Sequence, residues 1–302
     1  MSSVQANLLK TFMRFMRLFS PQGGMYDVAK VRANLEATPS MLKALAPAQC
    51  EPVVAKGVAG EWLVPAEVVE GRVVLYLHGG YYNAGSAHAL RPLAVNTGYA
   101  AKARVLSIDY RLAPESPFPA ALEDATRAYE WLLEEGHPPS EILLAGDSAG
   151  GGLVLCLLLH IRERGLPLPA AAICFSPWTD LALSGESYKG NAGSDVILDL
   201  PSFEQSARMY LGNVDPRTAC ASPIYGDLAG LPPTLIQVGS DEMLLSDARS
   251  FAEKAKAAGV DMTLEVWTGM QHEWQFAAKV IPEGREAIQH VSRFVGSRLR
   301  VS

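Results

Sequence analysis

Apolar runs too short to cross a membrane recur along this chain from residue 73 onward, each followed by a polar signature and an amphipathic stretch. Continuous apolar runs predict strands over 73–77, 103–108, 141–145, 170–175, 234–238 and 262–267. Helices are expected between them, over about 89–102, 120–135, 149–163, 246–258 and 283–299. Before this rhythm begins, 51–56 and 61–65 predict an antiparallel pair around Gly57 and Gly60. Two helices are expected earlier still. In the first, over 7–20, Leu8, Phe12, Phe15, Met16 and Phe19 share one face, expected to pack onto the protein rather than lie on a membrane surface, and Lys10, Arg14 and Arg17 share the other. The second runs from Val28 to about Leu45.

Alternating strand and helix with near-continuous apolar strands predicts an α/β fold, its mostly parallel sheet covered by helices on both faces. Ligands bind such sheets at the carboxyl ends of the strands. The polar signatures fall there: His78-Gly79-Gly80, Asp109-Tyr110-Arg111, Gly146-Asp147-Ser148, Ser176-Pro177-Trp178, Gly239-Ser240-Asp241 and Gly269-Met270-Gln271-His272. The rhythm breaks over 181–233, which is rich in Gly, Ser and Pro and lacks a clear strand. It reads as an insertion over about 181–215, then a Pro-containing return to the sheet.

The strongest local signal is Gly146-Asp147-Ser148-Ala149-Gly150, a G-x-S-x-G pentapeptide between a strand and an apolar helix. A tight strand-to-helix turn projects the serine hydroxyl, and small flanking residues keep neighbouring backbone clear. The helix N-terminus brings the Ala149 N–H and a positive dipole end beside it. A serine hydroxyl needs a base. Of six histidines, His272 alone sits in a loop after the last strand; His137 reads as surface, His160 and His290 as structural, and His78 as a loop anchor. The third member, which orients the imidazole, is read as Asp241, giving the chain order Ser148, Asp241, His272. Glu242 and Asp247 are its rivals, and Asp247 is read as a helix cap. Gly79, Gly80 and Ala149 N–H groups are expected to form a three-donor oxyanion hole.

Composition narrows the class. The chain is 49% hydrophobic and 19% charged with a formal net charge of −6, so neither disorder nor nucleic-acid binding is expected. Cys50, Cys156, Cys174 and Cys220 show no CxxC or zinc spacing and read as reduced thiols of a cytoplasmic protein. No apolar stretch reaches the ~18 residues of a membrane span. Arg14 and Arg17 interrupt what would be the apolar region of a secretory signal.

HGG at 78–80, DYRLAPE at 109–115, GDSAGG at 146–151 and GSDEMLLSD at 239–247 together resemble the hormone-sensitive-lipase-like, or bacterial type IV, esterases; SPWTDL at 176–181 and GMQHEW at 269–274 extend the likeness. The resemblance implies an eight-stranded α/β-hydrolase core whose helical cap is built from about 1–45 and about 181–215, all one catalytic domain. It carries over Ser148 as nucleophile, Asp241 as acid, His272 as base, and Gly79, Gly80 and Ala149 as oxyanion donors. Many members have a third glycine where this chain has Tyr81, so Tyr81 and Tyr82 add bulk beside the pocket; Trp178 is a further pocket candidate. The resulting expectation is a serine carboxylesterase for small short-acyl esters, with a lactone hydrolase or a non-catalytic receptor on the same fold as alternatives. The expected partner is a small-molecule ester. No metal, organic cofactor, nucleic acid or stable membrane insertion is implied, and a homodimer stays open.

Overall fold

The structure is a computed structural model, and it describes residues 2–18, 27–37 and 42–299. Its centre is one eight-stranded sheet of order β1-β2-β4-β3-β5-β6-β7-β8. The strands are β1 (Ala48–Ala55), β2 (Val58–Pro65), β3 (Val73–Leu77), β4 (Arg104–Ile108), β5 (Ile142–Asp147), β6 (Ala171–Phe175), β7 (Thr234–Gly239) and β8 (Met262–Trp267). β1 and β2 form an antiparallel hairpin whose turn residues Lys56 and Gly57 both have positive φ, 48° and 84°. β2 also runs antiparallel to β4, and every pairing from β4 to β8 is parallel.

β3, β5 and β6 are buried at every position because helices cover both faces. Val73, Leu75 and Leu77 face one core, into which α4 (Ala120–Glu134), α5 (Ser148–Glu163) and α7 (Leu245–Ala257) pack. Val74 and Tyr76 face the other, closed by α3 (Arg91–Ala101) and α8 (Pro282–Arg298). The chain leaves β3 toward β4 on one side and later returns to place β5 on the other. That switch point lies between β3 and β5, where ligands of open α/β sheets bind.

The chain between β6 and β7 leaves the sheet. It carries a single helical turn, Ser187–Gly190, and α6 (Leu200–Leu211), whose Asp199 side chain caps Ser202 N at 2.9 Å. α6 turns Phe203 and Tyr210 inward, where Tyr210 stacks on Tyr82 at 3.9 Å and Phe203 packs on Trp178 at 4.9 Å.

The two N-terminal helices differ from expectation. α1 (Val4–Leu18) docks through its other side: Ala6 and Leu9 pack with Met270, Trp274, Ile281 and Ala287. Leu8, Phe12 and Phe15 are 65%, 60% and 56% exposed. Phe19 and the side chains of Met16 and Arg17 lie outside the described residues. α2 (Val28–Glu36) stops well short of Leu45 and buries none of its residues. Arg32 fastens it instead, reaching Asn83 O at 2.8 Å, Ala113 O at 3.1 Å and the Glu115 carboxylate at 2.7 Å.

Candidate active site

The turn after β5 is built to hold a strained serine. Ser148 has φ +50°, a region disfavoured for a side-chain-bearing residue, and it opens α5. The turn closes only because its flanks are glycine. A Cβ on Gly150 would lie 2.0 Å from Leu77 O, and one on Gly146 2.7 Å from the same atom. Ser148 O accepts the Trp178 N–H at 2.9 Å, tying the turn to the chain leaving β6.

His272 is buried in the loop after β8. Its Nδ1 lies 2.8 Å from Glu242 Oε2, and Glu242 is fully buried. Glu242 Oε1 accepts the Ser176 hydroxyl at 2.8 Å and the Gly239 N–H at 2.5 Å. The insertion fixes this turn from outside: Asn191 Nδ2 donates to Ser240 O and Glu242 O, and Asp195 Oδ2 accepts Met243 N–H at 2.8 Å.

The reading of Asp241 as the histidine's partner is therefore corrected. Asp241 points away from His272, accepts the Ser240 hydroxyl and pairs with Lys10 of α1. Burial would raise its pKa, but Lys10, Ser240 and Arg14 together hold it below the ordinary value. The turn offers two adjacent carboxylates, and the backbone sends only Glu242 inward. Asp247 does not cap its own helix. Its Oδ2 accepts Thr179 N–H at 2.8 Å and Asp180 N–H at 2.9 Å, holding the start of the insertion.

The oxyanion reading changes at one position. Gly79 N–H donates to Asp147 Oδ2 at 2.9 Å, so it is already taken. Gly80 N–H has no hydrogen-bond partner among the described residues. Ala149 N–H belongs to the first turn of α5, where backbone donors lack intrahelical acceptors. Gly80, Tyr81 and Tyr82 follow one another with φ of 116°, 58° and 62°, so the turn after β3 curls tightly, and Tyr81 takes a conformation a glycine would adopt freely. His78 anchors this turn: its Nδ1 donates to Gly79 O at 2.7 Å, its ring stacks on Tyr110 at 4.2 Å, and Tyr110 Oη donates to His78 O.

Asp147, given no role by the sequence reading, is fully buried at the centre of the site. Tyr76 Oη donates to its Oδ1 at 2.6 Å, and its carboxyl is hydrogen-bonded to Glu273. Burial, then the Glu273 charge, push its pKa well above the ordinary value. Glu273, at φ +53°, lies 3.4 Å from His272 Nε2. Burial disfavours the imidazolium of His272, but Glu273, Glu242 and Asp195 outweigh it and raise the pKa to about 9.

Of the pocket candidates, Tyr82 and Trp178 are fully buried in the core, whereas Tyr81 is partly exposed, edge-on to Phe203 at 5.2 Å. A cavity of about 840 Å³ opens elsewhere, lined by the insertion at Leu183, Tyr188, Glu204 and Arg208, with none of Ser148, Glu242 or His272 in its wall.

A family described as having the α/β-hydrolase fold matches residues 74–276. The chain is 50% identical over 235 residues to an acetyl-hydrolase of Streptomyces hygroscopicus, covering 78% of each, and 34% identical over 250 residues to an esterase of Acinetobacter venetianus, covering 82% of each. Its fold superposes with a TM-score of 0.93 on an esterase of the bacterial hormone-sensitive lipase family, 42% identical with 99% of both chains covered. It also superposes, with a TM-score of 0.94, on an esterase soaked with p-nitrophenyl butyrate, 40% identical over 99% of both chains.

Proposed function

The chain belongs to the α/β-hydrolase family and is a carboxylic ester hydrolase of the hormone-sensitive-lipase type, and from that premise we propose that it cleaves small, short-acyl esters through a covalent acyl-serine. The observation that carries the proposal is the buried Glu242–His272 contact at 2.8 Å, at the same carboxyl end of the strands as the strained Ser148 turn. In this reading Glu242 holds the Nδ1–H of His272, leaving Nε2 to accept the Ser148 hydroxyl proton. Ser148 Oγ then attacks the ester carbonyl. The oxyanion is received by Gly80 N–H and Ala149 N–H, with the Tyr81 backbone next along the turn. His272 returns its proton to the departing alcohol. Water, deprotonated by the same imidazole, frees the acid and restores Ser148.

The short-acyl preference rests on the aromatic wall of Tyr81, Trp178 and Phe203, which crowds the space beside the turn. The p-nitrophenyl butyrate soaked into the similar esterase is a four-carbon acyl ester, in keeping with that size. The test is covalent labelling with a fluorophosphonate followed by peptide mapping. One equivalent on Ser148, abolished in Ser148→Ala, is the expected result. Unlabelled Ser148 in protein that still hydrolyses esters would end the reading.

A further inference from the structure

The Nδ1 side of His272 has a partner with a familiar task, but the Nε2 side also faces a carboxylate. Glu273 lies 3.4 Å from Nε2, on the side the base must turn toward the serine. Its backbone is left-handed at φ +53°, so the chain carries strain to point it there. It is held from three directions. Asp147 hydrogen-bonds its carboxylate, Glu273 N–H donates to Ser176 Oγ at 3.4 Å, and the close backbone of Gly79 leaves room for it. A Cβ on Gly79 would lie 3.1 Å from Glu273 Oε1. Ser176 in turn donates to Glu242, so the carboxylates on the two sides of the imidazole share one support.

We propose that Glu273 is a positioning residue for the base: oriented by Asp147, it pairs with the imidazolium at Nε2 and sets the pH above which His272 is free to take the Ser148 proton. This rests on the triad reading above. Asp147 suits the orienting role. It is buried and accepts from Tyr76 Oη and Gly79 N–H, and burial with the neighbouring Glu273 charge pushes its pKa well above the ordinary value, which favours the protonated form that can donate to Glu273. The result is a chain running Tyr76, Asp147, Glu273, His272, buried except at the half-buried Glu273. It links β3, the end of β5 and the loop after β8.

The groups facing His272 are Glu242 at Nδ1, Glu273 at Nε2, and Asp195 from the insertion, with Asp147 behind Glu273. Asp241 is turned away and neutralised by Lys10. The sign follows directly. Carboxylates around a histidine favour its charged form, which cannot act as a base, so kcat/KM falls as pH drops below the raised value of about 9. Removing one of the three charges makes the neutral base available at lower pH. A charge within ~4–6 Å shifts a pKa by about one unit or more.

The experiment measures kcat/KM for p-nitrophenyl butyrate and the rate of fluorophosphonate labelling of Ser148 across pH, in wild type, Glu273→Gln and Glu273→Ala. Glu273→Gln keeps an acceptor for Asp147 and removes the charge. Its acid limb moves down by about one pH unit in both assays, with KM unchanged. Its plateau rate falls by no more than about tenfold, since the same charge also stabilises the imidazolium formed in the reaction. Glu273→Ala shows the same displacement with a larger loss of rate. A limb that stays in place while the rate drops would make Glu273 a packing residue only and overturn the proposal. Wild-type protein that shows no labelling of Ser148 would instead overturn the triad reading, so the two failures are told apart.

Discussion

Asp241 and Glu242 are neighbours with the same charge and different surroundings, and their separation is a matter of direction. Asp241 is partly exposed and held by Lys10, and Glu242 is sealed against His272, Ser176 and Gly239. Loss of the acid strands the histidine in the wrong tautomer or orientation, which costs on the order of 10⁴ in kcat. Glu242→Ala should show that loss. Asp241→Ala should keep kcat within a few-fold of wild type, because it breaks only a partly exposed ion pair, a type of contact worth little. Steady-state kinetics of the two variants decides it: equal losses, or the larger loss in Asp241→Ala, would return the role to Asp241. The sequence could not make this distinction. Both residues follow β7, both satisfy the chain order of serine, acid, histidine, and no periodicity applies within a two-residue turn. The role of Asp147 is illegible in the sequence for a related reason. The middle residue of the pentapeptide is unconstrained by the turn itself, and only the approach of Gly79 and Glu273 gives it partners.

Among elements, α1 shows how an amphipathic pattern can name a face without naming its neighbour. The pattern assigns docking to the stripe of Leu8, Phe12 and Phe15, but the body takes the narrower side formed by Ala6 and Leu9. Two polar contacts lock that orientation: Lys10 with Asp241, and Ser3 with Glu283 across 2.8 Å. Small Ala6 allows close approach to Trp274 and Ala287, which a phenylalanine stripe could not make. The exposed face leaves unrealised roughly 1.5–3 kcal/mol per side chain that burial would contribute. Replacing Leu8, Phe12 and Phe15 together by Ser should therefore leave the melting temperature within about 2 °C of wild type, since exposed substitutions change stability by less than ~0.5 kcal/mol. It should also reduce aggregation and any co-sedimentation with liposomes. A fall in melting temperature of the size expected for three core truncations would show the stripe to be packed. Among the described residues no helix is long and apolar enough to cross a membrane.

On the scale of the whole molecule, the turns after β3, β5, β7 and β8 lie at the carboxyl ends of the strands, and the insertion between β6 and β7 packs against them. α6 delivers Phe203 and Tyr210 onto Tyr81, Tyr82 and Trp178, so the aromatic wall exists only where insertion and sheet meet. Across a series of p-nitrophenyl esters, kcat/KM should peak at acyl chains of roughly two to eight carbons and fall beyond, because a longer chain must displace packed aromatic rings. Phe203→Ala should shift that peak to longer chains. Faster turnover of emulsified long-chain triglycerides than of short soluble esters would refute the assignment. Lactones opened by the same groups can be read in the same panel.

Local chemistry along the chain is enough to specify the repeating strands and helices, the strained serine turn with its obligatory glycines and the histidine loop. These are local properties: apolar periodicity, steric demand at Gly146 and Gly150, and the position of polar residues after strand ends. Tertiary structure alone decided which of two adjacent carboxylates meets His272, which N–H groups remain unspent after Asp147 takes that of Gly79, and which side of α1 touches the body. Each is a choice between residues that local physics treats alike, and it is settled by atoms arriving from β3, β5, β8 and the insertion, far apart along the chain.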